Sequence, residues 1–190
     1  GKVLLVHRAT GEERVCETQQ GMVRSVAFSA DGTRVFSGGK AGVIRVWSVS
    51  DLSLCEELVG HEHQVNSLAV SPDGRWLASA SDDGSLRLWS LDGGEDRRLV
   101  GHPNWVSDVA WISATHLVSA SADSTLAIWT VEGHAMKPLY GHVNPIHSVT
   151  TCPEAGLIAS GDSSGVIKIW DAESGKTLET LSGHGDTVTD

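Results

Sequence analysis

Two stretches of this 190-residue chain carry the residue types of a hydrolase. The first holds His61, Ser79, Asp83 and Trp89, and the second holds His102, Ser119, Asp123 and Trp129. A hydroxyl, an imidazole and a carboxylate in a row can do nucleophilic chemistry: the imidazole takes the hydroxyl proton and the carboxylate fixes the imidazole tautomer. Such chemistry needs one site. A set that returns at a fixed interval answers instead to a structural need that is itself repeated. A third stretch keeps His142, Ser160 and Trp170, with Ser164 where the carboxylate is expected.

Other chemistries find less support. His61-Glu62-His63 is a fragment of a metal site, but no third ligand follows at a suitable spacing, and a solvated loop is the simpler reading. Gly38-Gly39 and Gly93-Gly94 begin neither a P-loop nor a dinucleotide fingerprint. Asp82-Asp83-Gly84 lacks the remaining positions of a calcium loop. No enzyme activity, cofactor or metal is expected. The net charge of −10 argues against binding through a nucleic-acid backbone, which needs a basic stripe. Cys16, Cys55 and Cys152 are far apart and odd in number, so they form neither a metal pair nor a secreted disulfide framework. That points to an intracellular place, cytoplasmic or nuclear. No apolar run approaches the length of a membrane span.

The elements that position these residues recur with them. Gly60-His61, Gly101-His102, Gly141-His142 and Gly183-His184 begin 41, 40 and 42 residues apart, and Trp47, Trp89, Trp129 and Trp170 lie 42, 40 and 41 apart. Between them, short alternating runs such as Val23 to Phe28 read as strands. Ser29-Ala30-Asp31-Gly32 and Ser71-Pro72-Asp73-Gly74 read as hairpin turns, and Ser113-Ala114-Thr115 is a shortened counterpart. No helical period is sustained.

A period near 41 with Gly-His at its front and Trp near its end resembles the WD-repeat β-propeller family. The family's closing Asp follows Trp once, at Trp170-Asp171, and Ser or Thr stands there in the other copies. The resemblance implies an all-β fold of four-stranded antiparallel blades and covers essentially the whole chain. The expected units are the end of a blade at 1–18, blades at 19–59, 60–100, 101–140 and 141–182, and the start of another at 183–190. Because propellers close with about four to eight blades, an incomplete or open propeller segment, part of a longer protein, is expected.

The resemblance also assigns the recurring polar set. In each unit Asp holds the His, the His holds the Ser, and the Ser takes the Trp indole N–H. Ser79 fits that role better than Ser81. Gln19 and Ala41 deplete the first unit, and Ser164 depletes the fourth.

Finally, the resemblance gives three positions per blade facing a ligand at the loop end. They are Met22, Arg24 and Lys40; Gln64, Asn66 and Asp82; Trp105, Ser107 and Ala122; Pro145, His147 and Ser163; then Thr187 and Thr189. Arg24, Lys40, Asn66, Asp82, Trp105, Ser107 and His147 are the candidate partner contacts. Trp105 is not required by the repeat, whose core aromatics of strand one are Phe28 and Trp111, so it either covers its own loop or anchors a partner. Trp76 reads as packing or an outer-face contact. The expected function is a non-catalytic scaffold that binds a protein or peptide within a multiprotein complex, with no nucleic acid or membrane as partner. The alternatives are a regulatory region of a signalling kinase or NTPase, and a structural part of a large assembly such as a coat or axonemal complex.

Overall fold

The computed structural model describes residues 1–18, 21–133 and 137–189. Gln19 and Asp190 lie outside the described residues.

The described residues form one two-stranded and four four-stranded antiparallel sheets in sequence. The pair is β1 (Lys2–Val6) and β2 (Glu13–Glu17). Blade 1 contains β3 (Val23–Phe28), β4 (Arg34–Gly39), β5 (Ile44–Ser48) and β6 (Leu54–Leu58). Blade 2 contains β7 (Val65–Val70), β8 (Trp76–Ser81), β9 (Ser85–Ser90) and β10 (Arg97–Val100). Blade 3 contains β11 (Val106–Trp111), β12 (His116–Ser121), β13 (Thr125–Thr130) and β14 (Lys137–Tyr140). Blade 4 contains β15 (Ile146–Cys152), β16 (Leu157–Asp162), β17 (Val166–Asp171) and β18 (Thr177–Ser182). Each blade is a plain meander with no crossover. Its turns use the expected chemistry: in blade 2, Asp73 accepts from Ser71 Oγ–H and the Arg75 N–H, and Gly74 supplies a φ of 73°.

The blades stack face to face, with their first strands β3, β7, β11 and β15 side by side along the inner edge. Each interface is an apolar cluster drawn from two neighbours. Between blades 2 and 3 it includes Trp76, Leu86 and Leu88 on one side and Val109, Trp111 and Leu117 on the other. The inner strands are also pinned across the gap, because Ser25 Oγ accepts the Leu68 N–H and Asp108 Oδ2 accepts the Val149 N–H. Close approach there depends on a small residue: a Cβ on Gly38 would sit 2.7 Å from Val65 Cγ1.

The arc is open, and its two flanks carry the same apolar positions that the interior buries. Trp111 is 6% exposed and its Nε1–H donates to the Ala69 carbonyl of the preceding blade. Phe28, at the equivalent place in blade 1, is 57% exposed. The expectation that Phe28 is a core aromatic is therefore corrected: β1 and β2 cover Val35 and Trp47 but leave Val26 and Phe28 bare. At the other flank no strand forms over 183–189. Val188 nevertheless packs on Gly161 of blade 4, as Val65 packs on Gly38, and its N–H reaches the Asp162 carbonyl. Trp76 is buried between blades 2 and 3, which settles it as packing.

Candidate functional site

The recurring polar residues converge behind each blade's Gly-His turn. In blade 2, His61 Nδ1 lies 2.7 Å from Asp83 Oδ2, His61 Nε2 lies 2.7 Å from Ser79 Oγ, and Trp89 Nε1 lies 2.9 Å from the same Oγ. In blade 3 the matching distances for His102, Asp123, Ser119 and Trp129 are 2.7, 2.8 and 2.8 Å. The directions follow by elimination. An indole N–H can only donate, so Ser79 Oγ accepts it and gives its own proton to His61 Nε2. That leaves Nδ1–H to donate to the carboxylate. Every polar atom in the line is satisfied with His61 neutral.

This is the connectivity of a catalytic triad without access to it. Ser79 is 0% exposed and its lone pair already holds an indole N–H. Ser81, the other candidate, turns instead to the His63 carbonyl and the Asp83 N–H. Burial pushes the His61 and His142 imidazoles below their ordinary value, against the upward pull of Asp83 and Asp162. Burial raises the Asp83 carboxyl, but hydrogen bonds from Ser85 and His61 outweigh it and hold the group at about 2.

The fourth unit requires a correction. Its network is complete, and its carboxylate is Asp162, not a residue at position 164. Asp162 Oδ2 lies 2.8 Å from His142 Nδ1, and Ser160 Oγ lies 2.8 Å from His142 Nε2 and 2.9 Å from Trp170 Nε1. Asp162 occupies the position of Ser81 and Ser121, two residues before the usual place. From there Oδ1 accepts the Ser164 N–H and O–H and the Val166 N–H, so one side chain both caps the turn and holds the His. Ser164 is a donor to this carboxylate and replaces nothing. In the first unit the Trp47 Nε1–H to Ser37 Oγ bond remains at 2.8 Å, and Ala41 contributes no carboxylate.

At the Gly-His end, the candidate contact residues surround one depression of about 850 Å³. Arg24, Asn66, Asp82, Trp105, Ser107 and His147 all line it, with Gln64, Asp108 and Thr189 between them. Lys40 is not among the lining residues; it is exposed on the neighbouring turn, where its N–H donates to the Met22 carbonyl. Ala122 is buried. A common device aims four of these side chains. The first strand of every blade slips register at one residue, at Val23/Ser25, Val65/Ser67, Val106/Asp108 and Ile146/Ser148. The bulged residues are Arg24, Asn66, Ser107 and His147. A bulge bends the strand and re-aims a side chain. The sequence signal was a polar residue directly after the first β-branched one, and simple alternation does not reveal it.

These residues are not equally free. Asn66 Nδ2 donates to Asp82 Oδ1 at 2.7 Å and to the Val106 carbonyl at 2.9 Å, and Gln64 Nε2 donates to Asn66 Oδ1. Ser107 Oγ–H faces the Ala120 and Ile146 carbonyls. Both tie one blade to the next. Trp105 is 49% exposed, and its loop is held by backbone bonds to Asn104 Oδ1 and Ala122.

Sequence comparison matches the WD domain, G-beta repeat, at residues 12–48, 52–90, 94–130 and 133–171. A 52-residue stretch is 38% identical to WD repeat-containing protein 86 of Homo sapiens, over 27% of this chain and 14% of that protein. A 37-residue stretch is 46% identical to polyadenylation factor subunit 2 of Neurospora crassa, over 20% of this chain and 6% of that protein. The chain therefore matches only a small part of each relative's length. Repeats of this family generally mediate protein–protein interaction and are typically non-catalytic. Among the described residues no helix is long and apolar enough to cross a membrane. With four matches across most of its length and four blades each closed by a buried Trp, the chain belongs to the WD-repeat β-propeller family.

Proposed function

We propose that the chain is a non-catalytic scaffold that holds a protein or peptide in the depression at its Gly-His end. The observation that supports this most is the fourfold bulge, which brings Arg24, Asn66, Ser107 and His147 to one cavity rimmed by Trp105. The volume lies in the range of about 300–1,000 Å³ typical of ligand clefts. Arg24, Asp82, His147 and Trp105 are the contacts for the partner, while Asn66 and Ser107 hold the frame. Trp105 is the anchor, since an exposed indole on a fixed backbone loses little entropy on binding and buries a large area. Lys40 acts from the rim by charge. The Neurospora crassa relative is named as a subunit, which supports a place in a multiprotein complex inside the cell, cytoplasmic or nuclear.

The test is a pulldown from cells with wild-type and Trp105→Ala full-length protein, quantified by mass spectrometry. Loss of an anchor should cost about 2 kcal/mol or more, near thirtyfold in affinity, with an unchanged melting temperature. Equal recovery of every partner by the two proteins refutes the site, as does unfolding of the variant.

A further inference from the structure

At the end of the sheets opposite the Gly-His turns, the cleft between blades 2 and 3 is filled from within. Trp76, the first residue of β8, is buried there. The Arg97 guanidinium lies 5.0 Å from the centre of its ring, and Arg97 Nη1–H donates to the Val131 carbonyl on the next blade. An aromatic plug thus sits beneath a cationic clasp.

The repeat puts different residues at these places between blades 3 and 4. Trp76 pairs with Ser90 as His116 pairs with Thr130, and Arg97 pairs with Leu88 as Lys137 pairs with Ile128. The clasp is kept, because Lys137 Nζ donates to the Glu173 carbonyl at 2.8 Å across the cleft. The plug is not. His116 is exposed and its Nδ1 is engaged with Thr115 Oγ1 at 3.0 Å. What remains is an open cleft of about 640 Å³ with Ile112, Ile128, Ala155, Gly156 and Ala172 among its walls. Ala155 comes from the short 3-10 helix Pro153–Ala155, which stands in blade 4 where blades 1 and 2 have a Ser-x-Asp turn. Thr130 Oγ1 lies buried in the lining with no hydrogen-bond partner among the described residues.

We propose that this cleft is a second recognition site, which takes an aromatic side chain bearing an N–H or O–H donor from a partner peptide. The neighbouring cleft in the same chain shows what fits: an indole between two blades, facing a cation. Here the ring lies against Ile112, Ile128 and Ala172, the Lys137 ammonium faces its π-surface, and its donor reaches Thr130 Oγ1. Tryptophan satisfies all three contacts. The site is independent of the depression at the Gly-His end.

The experiment titrates the full-length protein, methyl-labelled at isoleucine, with the pentapeptide acetyl-Gly-Gly-Trp-Gly-Gly-amide. The Ile112 and Ile128 signals are assigned by conversion to valine. Saturable shifts at both methyls are expected, with none from the peptide carrying Ala in place of Trp. His116→Trp installs the blade 2 plug in this cleft and should weaken binding about tenfold or more. Thr130→Val should weaken the Trp peptide several-fold but leave a Phe peptide unaffected, and Trp105→Ala should change nothing. Equal shifts from the Ala peptide, shifts confined to other isoleucines, or undiminished binding by folded His116→Trp protein would overturn the proposal. If His116→Trp does not fold, Ala155→Leu, which fills the cleft from an exposed turn, carries the same expectation.

Discussion

Replacing Asp162 by Ala should destabilise the protein far more than replacing Ser164 by Ala, although the repeat pattern alone points to position 164. The structure gives the reason. The carboxylate accepts from four donors: His142 Nδ1–H, the Ser164 N–H and O–H, and the Val166 N–H. The His142 side chain is 0% exposed, so its N–H cannot turn to water once the acceptor is gone. An unpaired buried donor costs about 1–3 kcal/mol. The two backbone donors sit in the turn and regain water at about 1 kcal/mol together. The sum for Asp162→Ala is about 2–4 kcal/mol, or about 4–16 °C in melting temperature for a chain of this size. Ser164 is exposed and gives up one hydroxyl bond, so Ser164→Ala should stay within about 0.5 kcal/mol of wild type. Ser164→Asp sets a second carboxylate beside Asp162 with no free partner and should not stabilise.

The assay is urea unfolding followed by both tryptophan fluorescence and far-UV circular dichroism. Two probes are needed because stacked repeats can lose cooperativity, and only coincident transitions justify a single free energy. Equal midpoints for Asp162→Ala and Ser164→Ala, with equal slopes, would refute the assignment of Asp162. A stabilised Ser164→Asp would refute it independently.

Two further outcomes follow from the same geometry. Stability should fall on acidification in two steps. His61 and His142 bind protons less readily folded than unfolded, so their contribution is complete above about pH 6.5 and fades below it, and that of Asp83 fades as pH drops from about 4 toward about 2; urea midpoints that rise between pH 7.5 and 5.5 would contradict this. Trp111→Ala should cost about 3–5 kcal/mol, because it empties an interface and orphans the Ala69 carbonyl, while Phe28→Ala at the equivalent exposed place should leave the melting temperature of this 190-residue arc unchanged and reduce any self-association seen in sedimentation.

How far the sequence could be read depended on whether a position's role was set within its own repeat. The blade count, the strand positions and the alignment of Trp47, Trp89, Trp129 and Trp170 follow from period and alternation, because each strand buries the same face in every copy. Asp162 escaped this reading because the network needs a carboxylate oxygen at a point in space, not an Asp at a register position. A side chain two residues earlier reaches the same point when the turn lets it. Phe28 escaped it for a different reason. Its burial depends on the neighbouring blade, and a residue cannot record whether its neighbour is there.

The bulges separate the positions that fold the chain from those that line the depression. Val23, Val65, Val106 and Ile146 fill the gap between blades, and in each case the next residue is set outside the ladder by the register slip. That position is therefore released from the pattern, and this chain places Arg, Asn, Ser and His there. Asn66 and Ser107 have been drawn back into the frame through carbonyls of the next blade, whereas among the described residues Arg24 and His147 make no blade-to-blade hydrogen bond and line the depression. The same logic applies at the opposite end. There Trp76 closes one cleft, and the change to His116 at the next opens its counterpart without touching the strands that form it.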